Sequence, residues 1–104
     1  MIKATFYKKG DILKGFEISG HSGYAEQGSD VICASVSSAA YMTVNTVTDV
    51  IGEYGEAEVD EGYLRFICES DKKEVQAVMK GFLLHVNALA DDYKEYIICK
   101  EKTV

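Results

Sequence analysis

The chain has 104 residues, 47% of them hydrophobic and 27% charged, with a net charge of −6 at neutral pH. That is length for one domain with its own core and not for two, and the composition excludes disorder. The acidic balance argues against nucleic acid, whose phosphates need a basic face, and favours a basic peptide or protein as partner.

The three cysteines stand in unrelated settings with no Cys-x-x-Cys pair, which excludes a disulfide framework and gives no zinc-ligand spacing. A reducing compartment follows, with no metal or other cofactor expected. The first residues alternate and carry lysines instead of the apolar core of a signal peptide, and no apolar run is read as approaching the roughly 18 residues of a membrane span. The expectation is a soluble protein of the cytoplasm with no membrane contact.

In chain order, Ile2, Ala4 and Phe6 alternate with Lys3, Thr5 and Tyr7, the period of a half-buried strand. Lys9-Gly10-Asp11 supplies a turn, and Leu13 to Ser19 returns with Phe16 and Ile18 on one face, so residues 2–19 read as a hairpin that delivers His21 at its end. Gly20 to Ser29, with Gly23 and Gly28, reads as a mobile loop. Asp30 is a natural N-cap for a helix over 31–51, where Ile32, Val36, Ala40, Val44, Val47 and Val50 recur at helical spacing before the stop at Gly52. Few charges and many small residues predict that this helix is largely buried, against both the sheet and a partner chain.

A second hairpin is expected from 55–60 and 63–69 around Glu61-Gly62, with Cys68 on the core face beside Leu64 and Phe66. Asp71 with Glu74 forms a capping-box start for an amphipathic helix carrying Val75, Met79, Phe82 and Val86, with His85 at its solvent edge. The last strand, over 93–100, has apolar residues on both faces, as an inner strand would. The order is ββαββαβ, an α+β single domain over 1–104 with a mixed or antiparallel sheet packed by two helices.

Chemistry concentrates between Gly20 and Ser38. Cys33 falls in the first turn of a helix, near unpaired amides and the positive end of the helix dipole, which favour thiolate over thiol. His21, across the loop, could fold back to take or hold its proton, making nucleophile and base. The amides at Cys33 and its neighbours are candidate oxyanion donors. Asp30 is the nearest acid able to orient His21, although it is also the expected cap. Each residue has a plainer reading: free cysteine is commonly a small buried hydrophobe, and a histidine beside glycine is commonly a turn residue. A metal site built from His21, His85 and the cysteines finds no support in their spacing.

Gly20-His21, the downstream Asp30-Val31-Ile32-Cys33-Ala34 and Ser37 closely resemble the ribosomal-processing cysteine protease family, and the resemblance extends over the whole chain. It implies a catalytic dyad of His21 and Cys33, with Gly20, Asp30, Ala34 and Ser37 as motif positions and 1–104 as one cysteine protease domain. Many members carry alanine where this chain has Ser22, a mild departure. The implied activity removes the N-terminal extension of large-subunit ribosomal protein twenty-seven, cutting after a hydrophobic segment that contains phenylalanine. Homodimers and a loop that closes over the substrate are implied as well, and Tyr24 is the loop aromatic placed to cover it. The rival reading is a non-enzymatic, ribosome-associated adaptor that only binds a basic protein segment.

Overall fold

The computed structural model describes residues 1–23, 25 and 30–104. Strands β1 (Ile2–Lys9) and β2 (Ile12–Ser19) lead to helix α1 (Val31–Asn45), which runs on as a π-helical segment (Thr46–Ile51). Strands β3 (Glu56–Asp60) and β4 (Tyr63–Ile67), helix α2 (Lys73–Asp92) and strand β5 (Ile97–Thr103) follow. The five strands form one sheet in the order β3-β4-β2-β1-β5, antiparallel throughout except for the parallel pair β1–β5. The ββαββαβ, α+β arrangement is thus the one the sequence periodicities predict.

Register explains the core. Phe6, Phe16 and Phe66 are direct cross-strand partners on β1, β2 and β4, and all three are fully buried. Phe82 of α2 closes on them, with ring centroids 5.4 Å from Phe6 and 4.8 Å from Phe16. Aromatic pairs of this kind add roughly 0.5–1.5 kcal/mol each beyond the area they bury. Gln76 fastens the same helix to β2: its Oε1 accepts from Leu13 N–H at 2.8 Å, and its Nε2 donates to the carbonyls of Leu13 and Ser70.

Five sequence expectations are corrected. The helix after Asp30 is not uniform, because its last six residues form the wider π turn, with i→i+5 bonding. Val47 stays buried while Val50, expected on the core stripe, swings out to 79% exposure. Nor is the helix largely buried. Ile32, Val36, Ala40 and Val44 face the core, whereas Val31, Tyr41 and Met42 are exposed, since the single chain covers only one side of α1. Contrary to the reading that no apolar run approaches a membrane span, its stretch Val31–Ile51 reaches a mean hydropathy of 1.2 over 18 residues, long and apolar enough to cross a membrane by length and composition alone, with 33% of that window buried in the domain.

The fourth correction concerns α2, which starts without the Asp71 capping box. Lys72 occupies the cap position with no side-chain cap bond, and its ammonium pairs with Glu53. Gln76, tied to Leu13 and Ser70, fixes the first turn instead. Finally, β5 is an edge strand, not an inner one. Ile97 is buried, while Ile98 stays at the surface.

Candidate active site

The end of β2, the first turn of α1 and the β3–β4 turn converge at one end of the sheet. Gly20 follows β2 at φ +89°, and a side chain there would press into the Met1 carbonyl, so the crossing over the start of β1 requires glycine. Its N–H donates to Gly62 O at 2.9 Å, which bolts the segment to the β3–β4 turn. His21 comes next and lies exposed against Gly62.

Asp30 holds the opposite wall. It is buried at 6% exposure, and Oδ1 accepts from the amides of Ile32 and Cys33, both at 3.0 Å. Its other oxygen, Oδ2, accepts from the hydroxyl of the buried Ser22. Burial pushes this carboxyl up, but the Ser22 hydroxyl and the bonds from Cys33 and Ile32 outweigh it and hold Asp30 below the ordinary carboxylate range. The Ser22 N–H donates to Cys33 Sγ at 3.2 Å. Ser22 is therefore fixed at two points to the helix start, and it carries His21 with it.

These bonds bear on two questions left open by the sequence. Asp30 acts as the cap, with one oxygen on the helix amides and the other on Ser22. The amides at Cys33 and its neighbours, expected as oxyanion donors, are already engaged within the helix start. Those of Ile32 and Cys33 are taken by Asp30 Oδ1, and that of Ala34 donates to Asp30 O at 3.1 Å. The amide that reaches the sulfur is that of Ser22.

Between these walls lies a cavity of about 330 Å³. Gly20, His21, Asp30, Cys33, Ala34 and Ser37 line it; Ser22 sits behind the wall, and Tyr24 lies outside the described residues. Sequence reasoning missed the rest of the lining: Ile2, Ile18, Val36, Ala40, Tyr41 and Leu64 give it an apolar floor, and Asp60, Gly62 and Tyr63 form its rim. The Glu61-Gly62 turn was legible as a turn, but nothing in its sequence says which loop it would face.

The other cysteines stand apart. Cys68 is 1% exposed, and its thiol donates to Tyr54 O at 3.3 Å. Cys99, on β5, has its thiol pushed up to about 11 by burial and the nearby Glu101. All three cysteines are free. Among the described residues, no three His, Cys, Asp or Glu side chains gather as metal ligands.

A family profile described as cysteine protease Prp matches residues 1–98. The Bacillus subtilis ribosomal processing cysteine protease Prp is 29% identical over 106 residues, covering 91% of this chain and 92% of that one. The Staphylococcus aureus protein of the same name is 23% identical over 84 residues, covering 77% and 78%. Among solved structures, the S. aureus ribosomal processing protease Prp with a covalently linked product peptide superimposes with a TM-score of 0.91 at 21% identity, over 98% of this chain and 100% of that one. A Streptococcus mutans protein gives 0.86 at 32% identity, over 100% and 96%.

Proposed function

Because the chain belongs to the cysteine protease Prp family, and so is a cysteine protease and not merely an adaptor, we propose that His21 and Cys33 are its catalytic dyad and that it removes the N-terminal extension of large-subunit ribosomal protein twenty-seven. The observation that carries this reading is the placement of His21 and Cys33 on the wall of one apolar cavity.

In the proposed cycle, the Cys33 thiolate attacks the scissile carbonyl, and negative charge collects on the carbonyl oxygen. The Ser22 N–H, which donates to Sγ, favours the thiolate that makes this attack. As the tetrahedral species collapses, the C–N bond breaks and the His21 imidazolium gives its proton to the leaving amine. Water then attacks the thioester, His21 takes its proton, and release of the new carboxylate restores the thiolate. The floor formed by Ile18, Val36, Ala40 and Leu64 receives the hydrophobic, phenylalanine-containing segment before the cut. The net charge of −6 attracts a lysine-rich ribosomal substrate. A site in the cytoplasm and a homodimer joined through the exposed side of α1, where Met42 is 68% exposed, complete the proposal.

Incubation of the pure protein with the full-length ribosomal protein tests it, with the product mass as readout. Wild type releases the N-terminal segment. Cys33→Ser cuts nothing yet still binds, because a serine hydroxyl is too weak an acid for a histidine without a firm third partner to activate. His21→Ala likewise stops turnover. Cleavage by Cys33→Ser at a rate near wild type would overturn the assignment.

A further inference from the structure

We propose that Gly62, in the β3–β4 turn, is a positioning residue for the His21 imidazole, and that its missing side chain is a requirement of catalysis as well as of the turn. The inference rests on the dyad reading above and adds a residue to it from an element remote in sequence. A Cβ placed on Gly62 would stand 2.9 Å from His21 Nε2, 3.3 Å from Cε1 and 3.6 Å from Cδ2. Real Cβ atoms essentially never approach closer than about 3.0 Å. The Nε2 end of the ring therefore occupies the space a side chain would fill. The Gly62 carbonyl also accepts the Gly20 N–H at 2.9 Å, so the same residue holds the backbone that leads into His21 and supplies the surface the ring rests on.

A methyl group at position 62 must push the imidazole off this surface. The 2.9 Å approach must open by a few tenths of an ångström, and since a misplacement of about 1 Å costs on the order of 100-fold in rate, the effect is a loss of several-fold in kcat, with KM little changed because the apolar floor is untouched.

Gly62 has φ +66°, which strains any L-residue, and a simple Ala variant would mix backbone strain with the lost surface. The chain contains its own control. Gly10, in the β1–β2 turn, has φ +61° and nothing within 4 Å of a built Cβ. Gly10→Ala therefore imposes comparable strain far from the site. Gly62→Asn keeps the offending Cβ with a residue that tolerates the left-handed conformation.

The experiment measures kcat, KM and the pH profile of cleavage for Gly62→Ala, Gly62→Asn and Gly10→Ala, alongside the ring nitrogen signals of His21 by NMR, with His85 as the internal reference. Both Gly62 variants are expected to lose roughly 5- to 10-fold in kcat and to shift the His21 signals and the pH profile. Gly10→Ala is expected to melt earlier but to keep kcat, the profile and the His21 signals. A Gly62→Asn protein with wild-type kcat and unshifted His21 signals overturns the proposal, as does a Gly10→Ala protein that loses kcat equally. His21→Ala separates the two layers. If it retains turnover, the dyad reading fails; if it is dead while Gly62→Asn is normal, only the role of Gly62 fails.

Discussion

Asp30 joins the helix start to the segment that carries His21, and replacing it tests whether its role is to hold the site or to act on the histidine. Asp30→Ala removes the acceptor for the Ile32 and Cys33 amides and the acceptor for the buried Ser22 hydroxyl. Loss of an N-cap costs about 1 kcal/mol, and stripping a buried hydroxyl of a charged partner costs about 1–3 kcal/mol more, for a total near 2–4 kcal/mol. At roughly 4–8 °C per kcal/mol for a domain of about this size, the thermal midpoint should fall by at least about 8 °C. Asp30→Asn keeps an oxygen for the amides and an amide group facing Ser22, whose hydroxyl can turn to accept, so its midpoint at neutral pH should lie within about 4 °C of wild type.

The two variants also differ in acid. The folded-state carboxyl of Asp30 titrates below its unfolded value, so its contribution is fully present above the ordinary carboxylate range and is lost as pH falls through the lower folded value. Asp30→Asn, with no carboxyl to titrate, should lose less stability across that acid interval than wild type does. Circular-dichroism melts between neutral and acid pH, paired with turnover on a substrate peptide, give all the quantities. An Asp30→Ala midpoint within about 3 °C of wild type would refute the assignment of these bonds as structural. An Asp30→Asn protein with a normal midpoint and no turnover would show that the carboxylate charge acts on His21 after all.

Limited iodoacetamide at neutral pH should label Cys33 before Cys68 and Cys99, because Cys68 is 1% exposed and the Cys99 thiol is pushed up to about 11; peptide mapping that finds either of the others first would count against the site. Cys33→Ser should leave the full-length ribosomal protein uncut by mass spectrometry while retaining it in a pull-down. Gln76→Ala should cost about 2–4 kcal/mol in urea unfolding, since it orphans the buried Leu13 amide and carbonyl, and should leave kcat of the folded fraction unchanged; a selective loss of kcat would tie α2 to the site in a way its position does not.

The sequence carried the order of elements because each periodicity here is local. Ile2-Ala4-Phe6 and Val75-Met79-Phe82-Val86 each read their own secondary structure and their own buried face. Asp30 was legible as a cap for the same reason, its amides lying within three residues of it. What stayed hidden depends on neighbours distant in the chain. Val50 belongs to a helical pattern on paper, and only the π turn sends it outward. Ile98 satisfies an inner-strand pattern, yet whether another strand lies beyond β5 is a property of the sheet. In the site, His21 and Cys33 stood out as reactive residue types near a helix start. The Ser22 bridge and the Gly62 surface could not, because a hydroxyl and a turn glycine acquire meaning only from what the fold sets against them.

The parallel pairing of β1 with β5 bears on how the protein forms. Ile2 sits beside Ile97, so the first strand and the last are neighbours across almost the whole chain. Contacts of such high sequence separation are slow to find, since most of the loop-closure entropy must be lost before they repay it. During synthesis β1 can pair with β2 early, but its other edge has no strand beside it until β5 leaves the ribosome. Until then that edge presents unpaired N–H and C=O groups, which invite pairing with another chain. Ile2 also lines the cavity, so the floor of the site is secured only when the last strand arrives. Catalytic competence should therefore trail chain completion instead of growing with each element, and substitutions in β5 should slow its appearance more than they lower the final activity.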